Sequence, residues 1–560
     1  MAKLRCETAS ARALFLTLCA FAAACGASRA LNSKAAAAAS PAPRTAVAAA
    51  AAAAPWNVVL ITVDALRADR MSLYGHVRPT TPQLDAFARE AAVFENFFAV
   101  SAHTSPGVVS LLTGQAPPVH AQTTQFSFYD AEIPSPLRLL AARGYDVIGY
   151  AIRGATYANL GFTRGQDGAP TEELLAQLAK SEKPFFAWLH TRETHLPYKP
   201  TPELSGKFTR GMSLASPLLS AVREFTFVLR DPPADFAYRH AGAVAPREAD
   251  REPLAALYEE CVASADARVG SWLAQLRESG VLDRTLVVIT ADHGEELLEH
   301  GWVGHASTSY DAKLSDEIVH IPLIVRVPGG AYAGRYPALA SQVDVMPTLF
   351  ELLGVDGGAV AADQQGVSLA PVLRGEKAEV REHVFAETTR KGWTTPRSEA
   401  RRRATMHRTH SHKVVASDWG GVQFFDLRND PAERINLNEG PANAPALEPF
   451  VRLLNRDGAV QIVSQISAAG RIVEAAARQH LVALEAARAR GDVVAVVARW
   501  QAIQNLDATW SLERDAFYSG RERTEAWRAF RVRAAELAAQ AIRCDARGRP
   551  LTATDCEPTR

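Results

Sequence analysis

Short runs of aliphatic and β-branched residues punctuate the chain from residue 57 onward, and each ends on polar residues. Asn57-Val58-Val59-Leu60-Ile61-Thr62-Val63 and Leu286-Val287-Val288-Ile289-Thr290 are apolar without alternation, the pattern of strands buried on both faces. The first stops at Asp64 and the second at Asp292-His293-Gly294. Phe185 to His190 is a similar run, as is His320 to Val327, which closes on a Pro328-Gly329-Gly330 turn. Elsewhere the apolar positions take helical spacing: Leu84, Phe87, Ala88 and Ala91 predict a helix over Pro82 to Phe94, and Val262, Ala265, Val269, Trp272, Leu273 and Leu276 predict one over Tyr258 to Gly280. Strand and helix in alternation predict an α/β fold. Ligands of open α/β sheets sit beyond the carboxyl ends of the strands, so Asp64 and Asp292 are expected to share one site.

Two further segments bear on that site. In Ser101-Ala102-His103-Thr104-Ser105-Pro106-Gly107, Pro106 fits the first turn of a helix and puts Thr104 at or just before its N-cap. Backbone donors and the positive end of the helix dipole would then converge on the hydroxyl, a setting for an alkoxide or a bound oxyanion, although a threonine that only caps a helix has the same pattern. Asp292 and His293 offer one hard oxygen and one imidazole, half of a metal site; a plain turn capping a following helix is the alternative.

Composition narrows the class. With 560 residues, 48% of them hydrophobic and 22% charged, the chain can bury a large core and carry smaller units. Lys+Arg and Asp+Glu are both 61, which gives nucleic-acid binding no support. Residues 1–25 have Lys3, Arg5 and Arg12 ahead of an apolar stretch, Ala13 to Ala24, too short to span a bilayer, and so predict a secretory signal and export. Ala22-Ala23-Ala24-Cys25-Gly26 resembles a bacterial lipoprotein processing site, which would make Cys25 a lipidated membrane anchor in the cell envelope, periplasmic or at the surface; ordinary cleavage nearby is the alternative. Residues 26–55, rich in Ala and Pro, read as a tether. Cys544 and Cys556 could form a disulfide or remain free.

Residues 205–250 are irregular, and an insertion there could shape a substrate pocket. Arg397, Arg401, Arg402, Arg403, Arg408, His410 and Lys413 form a local basic run, a solvated hairpin or a contact for an anionic substrate. Residues 441–560 carry apolar residues at helical spacing, such as Ile472, Val473, Ala476, Leu481, Leu484 and Ala487, and predict a helical extension of paired helices.

Taken in order, Val63-Asp64-Ala65-Leu66-Arg67-Ala68-Asp69, Thr104-x-Pro106 closing on Leu112-Thr113-Gly114, His195-Leu196-Pro197-Tyr198, Asp292-His293-Gly294-Glu295, Val343-Asp344-Val345-Met346-Pro347-Thr348 and Gly366-Val367-Ser368-Leu369 resemble the alkaline phosphatase/sulfatase superfamily in its sulfatase-like branch. The resemblance covers roughly residues 56 to 437. It implies an alkaline phosphatase-like sandwich with a central, mostly parallel sheet: a catalytic domain at 56–378, a small C-terminal α+β subdomain at 379–440, and the helical extension outside both. It also implies one divalent metal ion, zinc or manganese ahead of calcium, held by Asp64, Thr104, Asp292 and His293, with Thr104, His195 and His305 catalytic and Arg67 and His190 toward the substrate.

Three positions depart from the formylglycine sulfatases. Thr104 stands where they have Cys or Ser, Val108 where they have Arg, and Ala65 where calcium-binding members have a second Asp. This set resembles the threonine-nucleophile relatives, phosphoethanolamine and phosphoglycerol transferases and phosphodiesterases. The expected substrate is therefore an anionic ester on a lipid headgroup, glycan or small molecule, phosphate ahead of sulfate. A true sulfuric ester hydrolase without formylglycine and a noncatalytic binding scaffold are the alternatives.

Overall fold

The computed structural model describes residues 55–120, 122, 129, 134–150, 157, 159–166, 172–228, 244–306, 313–390, 403–417, 421–437, 479–509, 533, 536 and 537. Cys25, the tether to residue 54, Tyr310, Arg397, Arg401, Arg402, Cys544 and Cys556 lie outside them. In chain order the strands are β1 (Asn57–Val63), β2 (Ala92–Phe98), β3 (Asp146–Tyr150), β4 (Arg164–Gln166), β5 (Phe185–Thr191), β6 (Thr285–Ala291), β7 (Glu296–Leu297), β8 (Val303–Gly304), β9 (Leu323–Arg326) and β10 (Gly334–Ser341). A second group follows: β11 (Val384–Thr389), β12 (Arg403–Arg408), β13 (His412–Ser417) and β14 (Gly421–Asp426). The principal helices are α1 (Pro82–Phe87), α2 (Thr104–Thr113), α3 (Pro136–Ala142), α4 (Glu172–Ala179), α5 (Pro217–Glu224), α6 (Arg251–Glu278), α7 (Val345–Leu353) and α8 (Val493–Thr509).

Eight strands make one sheet in the order β10-β2-β9-β6-β1-β5-β3-β4, and only β9 runs against the rest. Every residue of β1, β5 and β6 is buried, as their unbroken apolar runs require. Helices cover the sheet in two groups, α6 with α1 and α4, and α2 with α3 and α7. The long α6 buries Leu254, Leu257, Cys261, Val262, Val269, Trp272 and Leu276, and its Asp266 accepts from the Gln83 and Leu84 amides at the start of α1. The result is the expected α/β class with a mostly parallel central sheet.

Two element boundaries differ from expectation. The helix predicted over Pro82 to Phe94 ends its α turns at Phe87, and β2 takes over at Ala92. Val93, Phe94, Phe97 and Phe98 suit either period, and pairing with β9 and β10 decides for the strand. Of His320 to Val327 only Leu323–Arg326 is strand, because Pro322 has no N–H to pair and His320 N closes a helical turn over Asp316–Val319.

β11 to β14 form a four-stranded antiparallel sheet in sequence order. Val384, Ala386, Ala404, Met406, Val415 and Phe425 pack from it onto Phe98, Ala102, Ala306, Ile318 and Leu339 of the larger unit. Of the basic run, Arg408 and Lys413 are buried rather than solvated, while His410 is about half exposed. Lys413 is fully buried between Asp316 (3.0 Å) and Glu433 (2.7 Å), and Arg408 pairs with Asp316 at 2.9 Å. These cations neutralise buried carboxylates and tie the small sheet to the Asp316–Val319 turn.

Of the extension, residues 479–509 include two helical stretches that bury Leu484, Ala487, Val496 and Ile503 against one another and Leu537. Gln479 Nε2 donates to Asp363 Oδ1 at 2.9 Å. Among the described residues no helix is long and apolar enough to cross a membrane.

Candidate active site

Parallel pairing puts the carboxyl ends of β1, β5, β6 and β2 on one edge of the sheet. Val63 is in register with Ala291 on one side and Thr191 on the other, so Asp64 and Asp292 leave adjacent strands side by side although 228 residues apart in sequence. His190 projects from β5, opposite Thr62. The loop after β2 leads into α2, whose first residue is Thr104; His103, not Thr104, is the N-cap. Glycine makes the approach possible. A Cβ on Gly107 would stand 2.6 Å from the Asp292 carbonyl oxygen, and one on Gly294 would stand 2.0 Å from the Glu317 carbonyl. Gln342, fully buried, locks the junction: its Nε2 donates to Ala291 O (3.0 Å) and Asp292 O (2.7 Å), and its Oε1 accepts from Val100 N (3.0 Å).

The polar groups at this edge converge. His293 Nε2 lies 3.6 Å from Asp64 Oδ1, 3.4 Å from Asp292 Oδ2 and 3.4 Å from Thr104 Oγ1. His293 Nδ1 is 2.9 Å from the Gly294 carbonyl, which can only accept, so Nδ1 carries the proton and Nε2 turns a lone pair on the cluster. Asp292 Oδ1 accepts from the amides of Ala65 and His293, both at 3.0 Å, whereas Asp292 Oδ2 and Asp64 Oδ1 are buried without a hydrogen-bond partner. His190 Nε2 is 3.5 Å from Asp64 Oδ2, and its Nδ1 rests on Thr62 Oγ1 (2.7 Å), itself held by Trp188 Nε1 (2.9 Å). Donor atoms of Asp64, His190 and Asp292 all fall within 4.8 Å of one another.

Charge follows from this packing. Burial works to raise Asp64, but the charges of His195, His190 and Arg192 outweigh it and hold the carboxyl well below the usual range. Burial and the Asp64 charge push Asp292 up. Two carboxylates this close and this deep share one negative charge unless a cation joins them. Two orphaned carboxylate oxygens facing an imidazole lone pair fit a divalent ion.

His305 packs tilted against His293 (ring centroids 4.1 Å apart) and edge-on to His195 (4.9 Å), and Glu295 Oε1 holds its Nδ1 at 2.8 Å. Burial pushes His195 down to about 4 and, with the charges of His293 and His195, lowers His305 well below its ordinary value. Both imidazoles are neutral at pH 7 in this environment.

Arg67, expected toward the substrate, is enclosed in protein. Its guanidinium is fully buried and bonded to both carboxylate oxygens of Asp69 (2.7 and 2.8 Å), to Glu299 (2.8 Å) and to the Glu295 carbonyl (2.9 Å), so it braces the site from behind. His190, expected at the substrate, belongs with the carboxylate pair. Val108 packs in the core. Among the described residues Arg192, which sequence reasoning missed, is a partly exposed cation beside the carboxylate pair. Its side chain is 38% exposed, with Nε 3.2 Å from Asp64 Oδ2. Its place one residue beyond a buried strand was the available signal.

A parallel sheet whose strand ends gather carboxylates and imidazoles beside a helix-borne hydroxyl defines the alkaline phosphatase/sulfatase superfamily. Within it the chain belongs to the sulfatase family: residues 56–355 match the model described as Sulfatase, and residues 299–456 match that of the N-sulphoglucosamine sulphohydrolase C-terminal region. It is thus an ester hydrolase. It is 23% identical over 472 residues to an N-acetylglucosamine-6-O-sulfatase of Bacteroides thetaiotaomicron, covering 68% of this chain and 82% of that one. Two solved structures share the fold. One is a protein in complex with its substrate D-glucosamine-2-N,6-O-disulfate (TM-score 0.56, 22% identity, 72% of this chain and 97% of that one). The other is a phosphonate monoester hydrolase of Agrobacterium radiobacter (TM-score 0.53, 23% identity, 71% and 94%).

Proposed function

We propose that the chain hydrolyses a phosphate ester by attack of Thr104 Oγ1 on phosphorus, at a centre where Asp64, Asp292, His293 and His190 hold one divalent ion. The observation that carries this reading is the Thr104 hydroxyl in the first turn of α2, 3.4 Å from His293 Nε2 and next to the two orphaned carboxylate oxygens. When bound, the ion would neutralise the anionic ester and make the threonine hydroxyl more acidic. Neutral His195 or His305 takes the Thr104 proton as Oγ1 forms a bond to phosphorus and the ester P–O bond breaks, and the imidazolium so formed passes that proton to the departing oxygen. Both imidazoles are neutral in the free protein, and an arriving anion raises them toward the charged form that can donate. Water then cleaves the phosphothreonine, releasing phosphate and restoring the hydroxyl. Arg192 takes an anion oxygen at the mouth, the service that Val108 cannot give.

The family relatives favour a second reading, since the Bacteroides protein is named as a sulfatase of N-acetylglucosamine. Threonine weighs toward phosphorus: it cannot become formylglycine, and a sulfated threonine has no collapse to an aldehyde by which to shed sulfate. Aryl phosphate, phosphodiester, aryl sulfate and sulfated N-acetylglucosamine should be assayed side by side, with mass spectrometry of Thr104 after rapid quench. Phosphate turnover above sulfate turnover with a modified Thr104 is expected; the reverse order establishes the sulfate reading, and undiminished turnover by Thr104→Ala overturns both. Export and a lipid anchor at Cys25 complete the proposal, and globomycin-sensitive maturation with loss on Cys25→Ser tests the anchor.

A further inference from the structure

Beyond the Asp64–Asp292 centre, Glu296, His300 and Glu317 bring one donor atom each to within 4.8 Å of one another. Glu296 is 2% exposed; Ser315 Oγ donates to its Oε1 at 2.7 Å, while its Oε2 is buried with no hydrogen-bond partner. His300 Nε2 stands 3.2 Å from Glu317 Oε2. The Lys313 ammonium is close by: its Nζ donates to the His300 carbonyl (3.3 Å) and lies 5.6 Å over the Trp302 ring, and its charge acts on both Glu296 and His300. A buried carboxylate oxygen with nothing to accept from is costly, and this one belongs to a side chain grouped with two further metal-ligating residues.

We propose that Glu296, His300 and Glu317 form a second divalent-cation site, separate from the catalytic centre. Two carboxylates and one imidazole suit a zinc- or manganese-class ion better than calcium, which prefers oxygen throughout. Three protein donors leave room for water to complete the coordination. The position gives the ion a mechanical task. The Glu317 and Ile318 carbonyls already accept from the Glu295 (3.0 Å) and Gly294 (2.6 Å) amides, and Glu295 holds His305. A cation linking Glu296 and His300 to Glu317 fastens the β7–β8 excursion, with His305 just past it, to the Asp316–Val319 turn. Ligation would brace the neighbouring segment without entering the chemistry. The competing arrangement is a proton in the ion's place, with His300 as an imidazolium between the two acids.

Counting ions separates the two. The full chain is stripped with chelator, reloaded with excess Zn²⁺ or Mn²⁺, freed of unbound metal and analysed by inductively coupled plasma mass spectrometry. Two ions per chain are expected, falling to one in Glu296→Gln and in His300→Gln. Asp292→Asn also falls to one, and the Glu296→Gln/Asp292→Asn double variant falls to none. Should Glu296→Gln fail to fold, Glu317→Gln, at a partly exposed carboxylate, gives the same count. A wild-type count of one that neither Glu296→Gln nor Glu317→Gln changes overturns the second site and leaves the catalytic proposal standing. A count that drops with Glu296→Gln but not with Asp292→Asn supports the second site and removes the metal from the catalytic proposal.

Discussion

Gln342 offers a sharp test of how the site is held together. Its side chain makes three hydrogen bonds of 2.7 to 3.0 Å, joining the last carbonyls of β6 to the amide of Val100 on the way to Thr104. Gln342→Met keeps length and shape and removes all three. Each lost bond is worth about 1 kcal/mol, and a buried group left unpaired adds to it, which gives about 3 kcal/mol for the set. The cost to the reaction is separate. With Asp292 and the 99–103 loop no longer pinned to one another, a shift of ~1 Å in the hydroxyl would lower kcat about 100-fold. Urea unfolding in the presence of chelator measures the first quantity, and kcat on whichever aryl ester is turned over measures the second. A variant within about 0.5 kcal/mol of wild type, with kcat unchanged, would refute the claim that this amide sets the geometry.

Three further outcomes follow from the same geometry. Thr104→Ser should keep measurable turnover and Thr104→Ala should lose about 1000-fold or more; equal rates in the two would remove the hydroxyl from the chemistry. In chelator, Asp292→Asn should raise the melting temperature, because it removes an acid that beside Asp64 must either take up a proton on folding or be buried charged, and keeps the oxygen that accepts from Ala65 and His293; a lower melting temperature would contradict the repulsion argument. His120 gives a pH effect away from the metal. Its Nδ1 accepts from the Gln122 amide, so the neutral ring donates through Nε2 to Ser110 on α2, and burial, aided by the His480 charge, pushes it down to about 3. A histidine depressed below its unfolded value of ~6.5 contributes its full stability above that pH and loses it as pH falls toward 3, at up to ~1.4 kcal/mol per unit. His120→Asn should flatten that slope between pH 6 and 4, as urea titrations at stepped pH would show, and an unchanged slope would clear His120 of the effect.

The central strands were legible because burial on both faces leaves a run with no polar interruption: β1 falls where the pattern put it, and β6 extends its run by one residue at each end. That Thr104, Asp292 and His293 come together was legible because they stand at strand or helix ends. β2 was not, since its alternation is broken by aromatic residues that also suit a helix, and only its partners across the sheet decide. The enclosure of Arg67 was hidden for a related reason. A sequence shows a cation near Asp64 but not that Asp69 and Glu299 enclose it. The burial of Lys413 was hidden likewise, because Asp316 and Glu433, which enclose it, lie 97 and 20 residues away.

β1 has a consequence for the order in which the chain can assemble. It lies between β5 and β6, which enter the sequence only at Phe185 and Thr285. At ribosomal speeds of ~5–20 residues per second, its second neighbour arrives roughly 10 to 45 s after β1 itself. Throughout that interval a seven-residue apolar ribbon has an unmatched edge, the state in which strands stick to other chains. A nascent chain of this design depends on being kept unfolded, or sheltered, until its last central strand emerges.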